Sequence, residues 1–274
     1  MTKASFHVIT VFPEMIATLF SEGVVGQAAQ KGLITIDLIN PRKYSTGVHQ
    51  AVDDRPFGGG DGMVMMADPL EQALLEARQR SPATATTLYL SPQGEKLTDA
   101  KVRNLASDPH LILICGRYGG IDQRFLVKNQ IQEVSIGDYV LSGGELAASV
   151  VIDAVSRQIP GVLGHAQSAD RESFAGGLLE APLFTRPREW AGLAVPEVLL
   201  SGHHSRIQEW QLTISRFVTF LKRPDLKPFD GLSPKERGQC LTVWNELSSE
   251  DKKSLGLASL SDSSLRPVLE SRPT

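Results

Sequence analysis

The chain has little cysteine, no long hydrophobic run and almost no net charge, and each shortage excludes a class of protein. Its two cysteines, Cys115 and Cys240, lack metal-ligand spacing and lie too far apart in sequence to suggest a disulfide framework. The longest early apolar run, residues 6–12, is stopped by Pro13 and is too short for a signal peptide or a membrane span. A cytoplasmic protein with no membrane partner is therefore expected. A formal charge of −3 over 274 residues gives no global pull on nucleic acid, so any basic surface of that kind must be local. Neither a GxGxxG dinucleotide turn nor a lysine-bearing phosphate loop occurs, which weakens a nucleotide-phosphate enzyme as a reading.

What is present is a globular composition, 41% apolar in 29.8 kDa, long enough for two domains. The first part alternates strand-like and helix-like segments and reads as α/β. Residues 6–12 predict a buried strand, and Pro13-Glu14 opens a helix with proline and acid in its first turn. Residues 34–39 alternate apolar and polar, giving a second strand. Helices are expected over 69–80, 98–106, 124–129 and 145–158, and strands over 87–91, 111–115 and 134–136. The continuous run 111–115 suits the middle of a parallel sheet. The connection 41–62, with Asp53-Asp54-Arg55-Pro56 and Gly58-Gly59-Gly60, is too long and too specific for a plain linker; its glycines suit either a flexible lid or a backbone nest for an anion.

Three turns follow strand-like runs, at 91–94, 116–122 and 136–144, and in an α/β sheet such ends form the ligand crevice. The last of them organises the rest. Ser142 and Glu145, three residues apart before an apolar run, read as a capping box. A carboxylate in the first helical turn disfavours a phosphate there, while Gly137, Gly143 and Gly144 let bare backbone approach a neutral or cationic ligand. Arg157, near the end of the same helix, has a simple reading as a cation complementing the helix C-terminus.

Residues 159–174, with Pro160, Gly161, Gly164, Asp170 and Glu172, read as an interdomain linker. Beyond it, Ile207, Trp210, Ile214, Phe217 and Leu221 recur at helical spacing over 205–222, with Ser205 and Gln208 as a second capping box. Arg186, Arg188, Arg206, Arg216, Lys222 and Arg223 suit a basic RNA-facing surface or an ordinary solvated face. Another helix is expected over 234–247, and the serine- and proline-rich tail 257–274 reads as disordered.

Taken together and in order, the segments 53–60, 89–94, 115–118, 135–145, 159–164 and 198–202 resemble the bacterial tRNA (guanine-N1)-methyltransferases over residues 6 to about 224. That resemblance implies a SPOUT-type α/β domain, a parallel sheet with a deep trefoil knot, over 1–158; a linker over 159–174; and a small, mostly helical tRNA-binding domain over 175–256. It implies S-adenosyl-L-methionine as cofactor, tRNA as partner and a homodimer with active sites between subunits. The methyl group would go to N1 of the guanosine just 3′ of the anticodon.

The family's cofactor contacts carry over to Tyr89, Leu90, Pro92, Gly116, Ile136, Gly137, Tyr139, Leu141, Gly143 and Gly144, with Tyr118, Asp138 and Val140 beside them. The chemistry needs a base for the N1 proton and a cation for charge developing on O6. By resemblance Arg157 is the cation, and the base is a carboxylate just before a Ser-Phe pair. Here Glu172 precedes Ser173-Phe174 where the family has aspartate, with Asp170 as the alternative. Gly119 replaces a glutamate common among relatives, which puts any magnesium dependence tied to that acid in question, and no metal ligand is assigned. The two departures leave a second reading, an RNA-binding relative with weak catalysis.

Overall fold

A computed structural model describes residues 4–46, 48–60, 62–164 and 172–270. The chain divides into two compact units, Met1–Ser168 and Ala169–Thr274.

The first unit runs β1 (Ala4–Ile9), α1 (Pro13–Leu19), α2 (Gly23–Gln30), β2 (Ile34–Ile39), β3 (Asp53–Asp54), β4 (Val64–Met65), α3 (Ala67–Arg80), β5 (Thr86–Lys96), α4 (Asp99–Ser107), β6 (His110–Cys115), α5 (Gln123–Asn129), β7 (Gln132–Ser135) and α6 (Glu145–Ser156). Five strands form one sheet in the order β2-β1-β6-β5-β7, and every neighbouring pair is parallel. The sheet is covered on both faces, which is why its middle strand β6 reads as an unbroken apolar run. Phe6, Val8, Leu111 and Leu113 pack with residues of α1, α2, α4 and α6; Ile9, Ile112 and Ile114 pack with residues of α3 and α5.

Local chemistry sets several boundaries. Pro13 begins α1, where its missing N–H costs nothing, and the Thr98 hydroxyl caps α4 by accepting from the Lys101 N–H. The turn expected at 91–94 is an excursion within β5: Leu90 and Glu95 both stand opposite Val134, so the residues between them loop out. Such a bulge re-aims side chains without ending the strand. The long 41–62 connection is closed at its base by the antiparallel pair β3–β4.

The second unit holds the short hairpin β8 (Glu189–Trp190) and β9 (Leu193–Ala194), then α7 (Glu197–Leu200), α8 (His204–Lys222), α9 (Pro234–Glu246), α10 (Ser249–Ser254) and α11 (Asp262–Glu270). The apolar stripe of α8 supplies Trp210, Ile214 and Phe217 to the core of this unit. Its start differs from expectation: His203 occupies the N-cap with no side-chain hydrogen bond, so Ser205 and Gln208 lie inside the helix rather than capping it. Capping boxes do occur, at Ser233–Glu236 and Ser248–Asp251.

The expectation of a disordered tail is overturned as far as residue 270. Leu257, Leu260, Leu265 and Leu269 are buried in the same core as Phe217 and Trp244. Buried Arg237 donates to the carbonyls of Leu232, Phe229 and Val268, and the Trp244 indole donates to Asp262 at 2.7 Å, tying α9 to α11. Serine and proline content misled because two leucines four residues apart on α11 suffice to seat one short helix on an existing core.

Candidate functional site

The turns after β6 and β7 and the bulge in β5 meet in one cleft of about 310 Å³ in the first unit. Of the residues assigned to the cofactor, Tyr89, Leu90, Pro92, Gly116, Tyr118, Ile136, Gly137, Tyr139, Val140, Leu141, Gly143 and Gly144 all line it. Asp138 does not: its side chain is exposed and stands 3.5 Å from Lys96. Ser91, Gln93, Arg117, Ser135, Ser142 and Ala147 line the cleft as well and were not assigned to the cofactor from the sequence.

Bare backbone makes the close approaches. A Cβ on Gly144 would stand 2.7 Å from the Cys115 Cα, and one on Gly143 would stand within van der Waals distance of the Arg117 side chain. These contacts accompany a Gly144 N–H bond to the Gly116 carbonyl at 2.9 Å and a backbone bridge between Arg117 and Gly143. Ser135 shapes the entry to the third turn, its hydroxyl bonding both the N–H and the carbonyl of Gly137. Gly137, at φ 155°, is packed under the ring of Tyr139. The second turn is fixed from outside: Met65 N–H bonds to the Gly120 carbonyl and Gly119 N–H to the Met63 carbonyl. Thus the end of the 41–62 connection leads straight onto the cleft wall.

Tyr89 is buried beside Gly116, and burial, with the charge of Glu133 second, pushes its phenol up to about 12. It remains neutral through the physiological range. Cys115, at the end of β6, is fully buried, which raises its thiol well above the ordinary value and leaves it an inert core residue rather than a nucleophile.

Glu145 departs from the capping-box expectation. Gly144 is the N-cap and its helix has no side-chain cap; Glu145 turns inward with 1% exposure. One carboxylate oxygen accepts from the Thr10 hydroxyl at 2.8 Å and the other lies 3.0 Å from Arg117 Nε. The carboxylate therefore does not occupy the helix N-terminus as expected; it is an interior one, paired with Arg117 and outside the cleft lining.

Arg157 is the C-cap of α6, its N–H bonded to the Asp153 carbonyl. Glu172 belongs to the second unit and is half-buried, with its carbonyl accepting from Ala175 N–H. Ser173 accepts from Glu180 N–H, and Arg223 lies 5.7 Å from the centre of the Phe174 ring. Asp170 falls outside the described residues. Among the basic residues of the second unit, Arg216 donates to the Pro228 carbonyl and Arg223 pairs with Asp225, so both are engaged within that unit.

The family model described as tRNA (Guanine-1)-methyltransferase TrmD matches residues 4–228. The chain belongs to this tRNA (guanine-1)-methyltransferase family. A tRNA (guanine-N(1)-)-methyltransferase of Pseudomonas putida (strain W619) is 52% identical over 237 residues, covering 86% of this chain and 95% of that protein. One of Neisseria meningitidis serogroup C (strain 053442) is 49% identical over 238 residues, covering 87% and 96%. The match to the family model ends at residue 228, so α9, α10 and α11 lie beyond it. Among the described residues no helix is long and apolar enough to cross a membrane.

Proposed function

We propose that the chain transfers a methyl group from S-adenosyl-L-methionine to N1 of the guanosine just 3′ of the anticodon, as a cytoplasmic homodimer whose parallel sheet carries a trefoil knot. The coarser activity follows from membership of the family: methylation of guanine N1 in tRNA. The observation that supports the cofactor is the meeting of three glycine-bearing turns in one cleft.

The cleft suits this cofactor. Leu90, Pro92, Ile136, Leu141 and Ala147 offer an apolar lining, the turns offer backbone polar groups, and the one arginine of the lining, Arg117, is paired with Glu145. An adenine edge and a cationic centre are accommodated where a polyphosphate is not. When bound, the cofactor supplies a methyl group on a positive sulfonium.

The chain's own residues supply the rest. Guanine N1 carries a proton, so a carboxylate must accept it as the N1–methyl bond forms, and a cation must stabilise charge on O6. Glu172 takes the first role, with Asp170 as the alternative, and the partner subunit supplies this carboxylate; Arg157 takes the second. The helical second unit, with Arg186, Arg188, Arg206 and Lys222, holds the tRNA.

Methyl incorporation from labelled S-adenosyl-L-methionine into unmodified tRNA, with the product nucleoside mapped by mass, tests this reading. The unaltered protein is expected to methylate N1, and Arg157→Ala and Glu172→Gln to lose the chemical step. Loss in Asp170→Asn with retention in Glu172→Gln would move the base to Asp170. Tight cofactor binding without transfer by the unaltered protein would favour the RNA-binding relative.

A further inference from the structure

Glu145 is a carboxylate taken out of water at a place where the cleft itself does not use it, since it lines no part of the cavity. Burying a charge costs several kcal/mol unless it is paired and hydrogen-bonded, so its contacts show what the burial secures. One leads to the end of β1 and the other to Arg117 in the cleft wall.

Thr10, fully buried just past β1, donates its hydroxyl to one oxygen and accepts the Phe12 N–H at 3.0 Å. Arg117, in the turn after β6, brings Nε to 3.0 Å from the other oxygen. The same guanidinium donates to the Ser142 carbonyl in the third turn at 3.2 Å and lies 4.3 Å from the centre of the Phe12 ring. Gly143 lies against the arginine stem, in space that a Cβ would fill. One carboxylate thereby ties the end of β1, the second turn and the start of α6, and through Arg117 it reaches the third turn.

We infer that Glu145 is a positioning residue for the cofactor cleft: with Thr10 and Arg117 it holds the Gly116 and Gly143-Gly144 backbones in the arrangement that binds S-adenosyl-L-methionine. This rests on the cofactor reading given above. Glu145 does not itself line the cleft and acts through Arg117, so its loss should alter cofactor affinity and leave chemistry at saturation largely intact.

The test is calorimetric binding of S-adenosyl-L-methionine to the full chain, with thermal unfolding of the ligand-free protein and methyl transfer at saturating cofactor and tRNA, for Thr10→Val, Thr10→Ser, Glu145→Gln and Glu145→Asp. Thr10→Val is expected to raise Kd about tenfold, or about 1.4 kcal/mol. Glu145→Gln is expected to raise it further, and Thr10→Ser to restore it. The rate at saturation should stay within about twofold, the signature of lost binding rather than lost transition-state contact. If Thr10→Val and Glu145→Gln lower the unfolding temperature yet bind with the unaltered Kd, Glu145 is structural only and the inference falls. If Glu145→Gln does not fold, the isosteric Thr10→Val decides. Failure of the unaltered, folded protein to bind S-adenosyl-L-methionine would instead remove the cofactor reading, and this inference with it.

Discussion

Gly116 lies directly under Tyr89: a Cβ added to the glycine would stand 2.8 Å from both the ring edge and the hydroxyl of the tyrosine. The strand that supplies the aromatic wall of the cleft and the turn that supplies its backbone are therefore fitted to each other to within one methyl group. Interiors packed to this density tolerate little added volume.

Two alanine substitutions should separate packing from binding. Gly144→Ala would press on the Cys115 Cα and Gly116 N–H backbone, which cannot swing away, and is expected to destabilise the fold by about 1–3 kcal/mol in denaturant unfolding. Gly116→Ala meets the Tyr89 side chain first, so it should cost less stability and instead weaken cofactor binding by displacing the ring into the cleft. Equal stability losses with unchanged affinity would contradict this division.

The proposed roles of Arg157 and Glu172 make a kinetic prediction. Arg157→Ala should lower single-turnover methyl transfer by about 100- to 1000-fold, the range for removing a donor to a developing oxyanion. Glu172→Gln should lower it by about 100- to 10,000-fold, while Glu172→Asp retains part of the rate. Cofactor affinity, measured separately, should change little in either.

His7 gives a pH prediction. It is buried on β1 opposite Asp37 of β2, with Nδ1 3.4 Å from a carboxylate oxygen that also accepts from Arg80 at 2.7 Å. Burial holds its pKa below the ordinary 6.5; Asp37 raises it in part, and Arg80 and His110 add to the lowering. The unfolded chain then takes up a proton more readily than the folded one just below that ordinary value. Its contribution to stability is complete above about pH 6.5 and is lost progressively as pH falls toward the depressed folded value. The unfolding temperature should decline between about pH 7 and pH 5.5, more steeply for the unaltered protein than for His7→Gln. An identical slope in the two would remove His7 as the cause.

The C-terminal helix makes a stability prediction. Leu265 is fully buried on α11, and Leu265→Ala should cost about 2–5 kcal/mol in denaturant unfolding, as for other buried leucines. Little or no loss would mean that α11 is not part of the folded core.

Much of the first unit was legible because its signals are local. The apolar runs that became β1 and β6, the alternation that became β2, and the proline and threonine that begin α1 and α4 each act within a few residues. The ordered glycine motifs likewise carried the family resemblance and twelve of the residues that line the cleft, since a turn that brings bare backbone to a ligand is written in consecutive residues.

What failed to read locally depended on distance along the chain. Glu145 stands where a capping residue would stand, yet its partners lie 135 positions away at Thr10 and in another turn at Arg117. Spacing within one helix cannot announce such a contact; a threonine inside the apolar run 6–12 was the only hint. Asp138 sits among cleft residues in sequence but is exposed, 3.5 Å from Lys96, and lines no part of the cleft.

The sequence by itself determined the α/β class, the glycine turns and the family to which they belong, for each rests on local backbone preference or on ordered motifs. Tertiary structure alone decided that the acid of the Ser-Gly-Gly-Glu motif is an interior tie between strands, and that leucines of a serine-rich tail complete a core. Both depend on desolvation, which is a property of what surrounds a residue rather than of what precedes it.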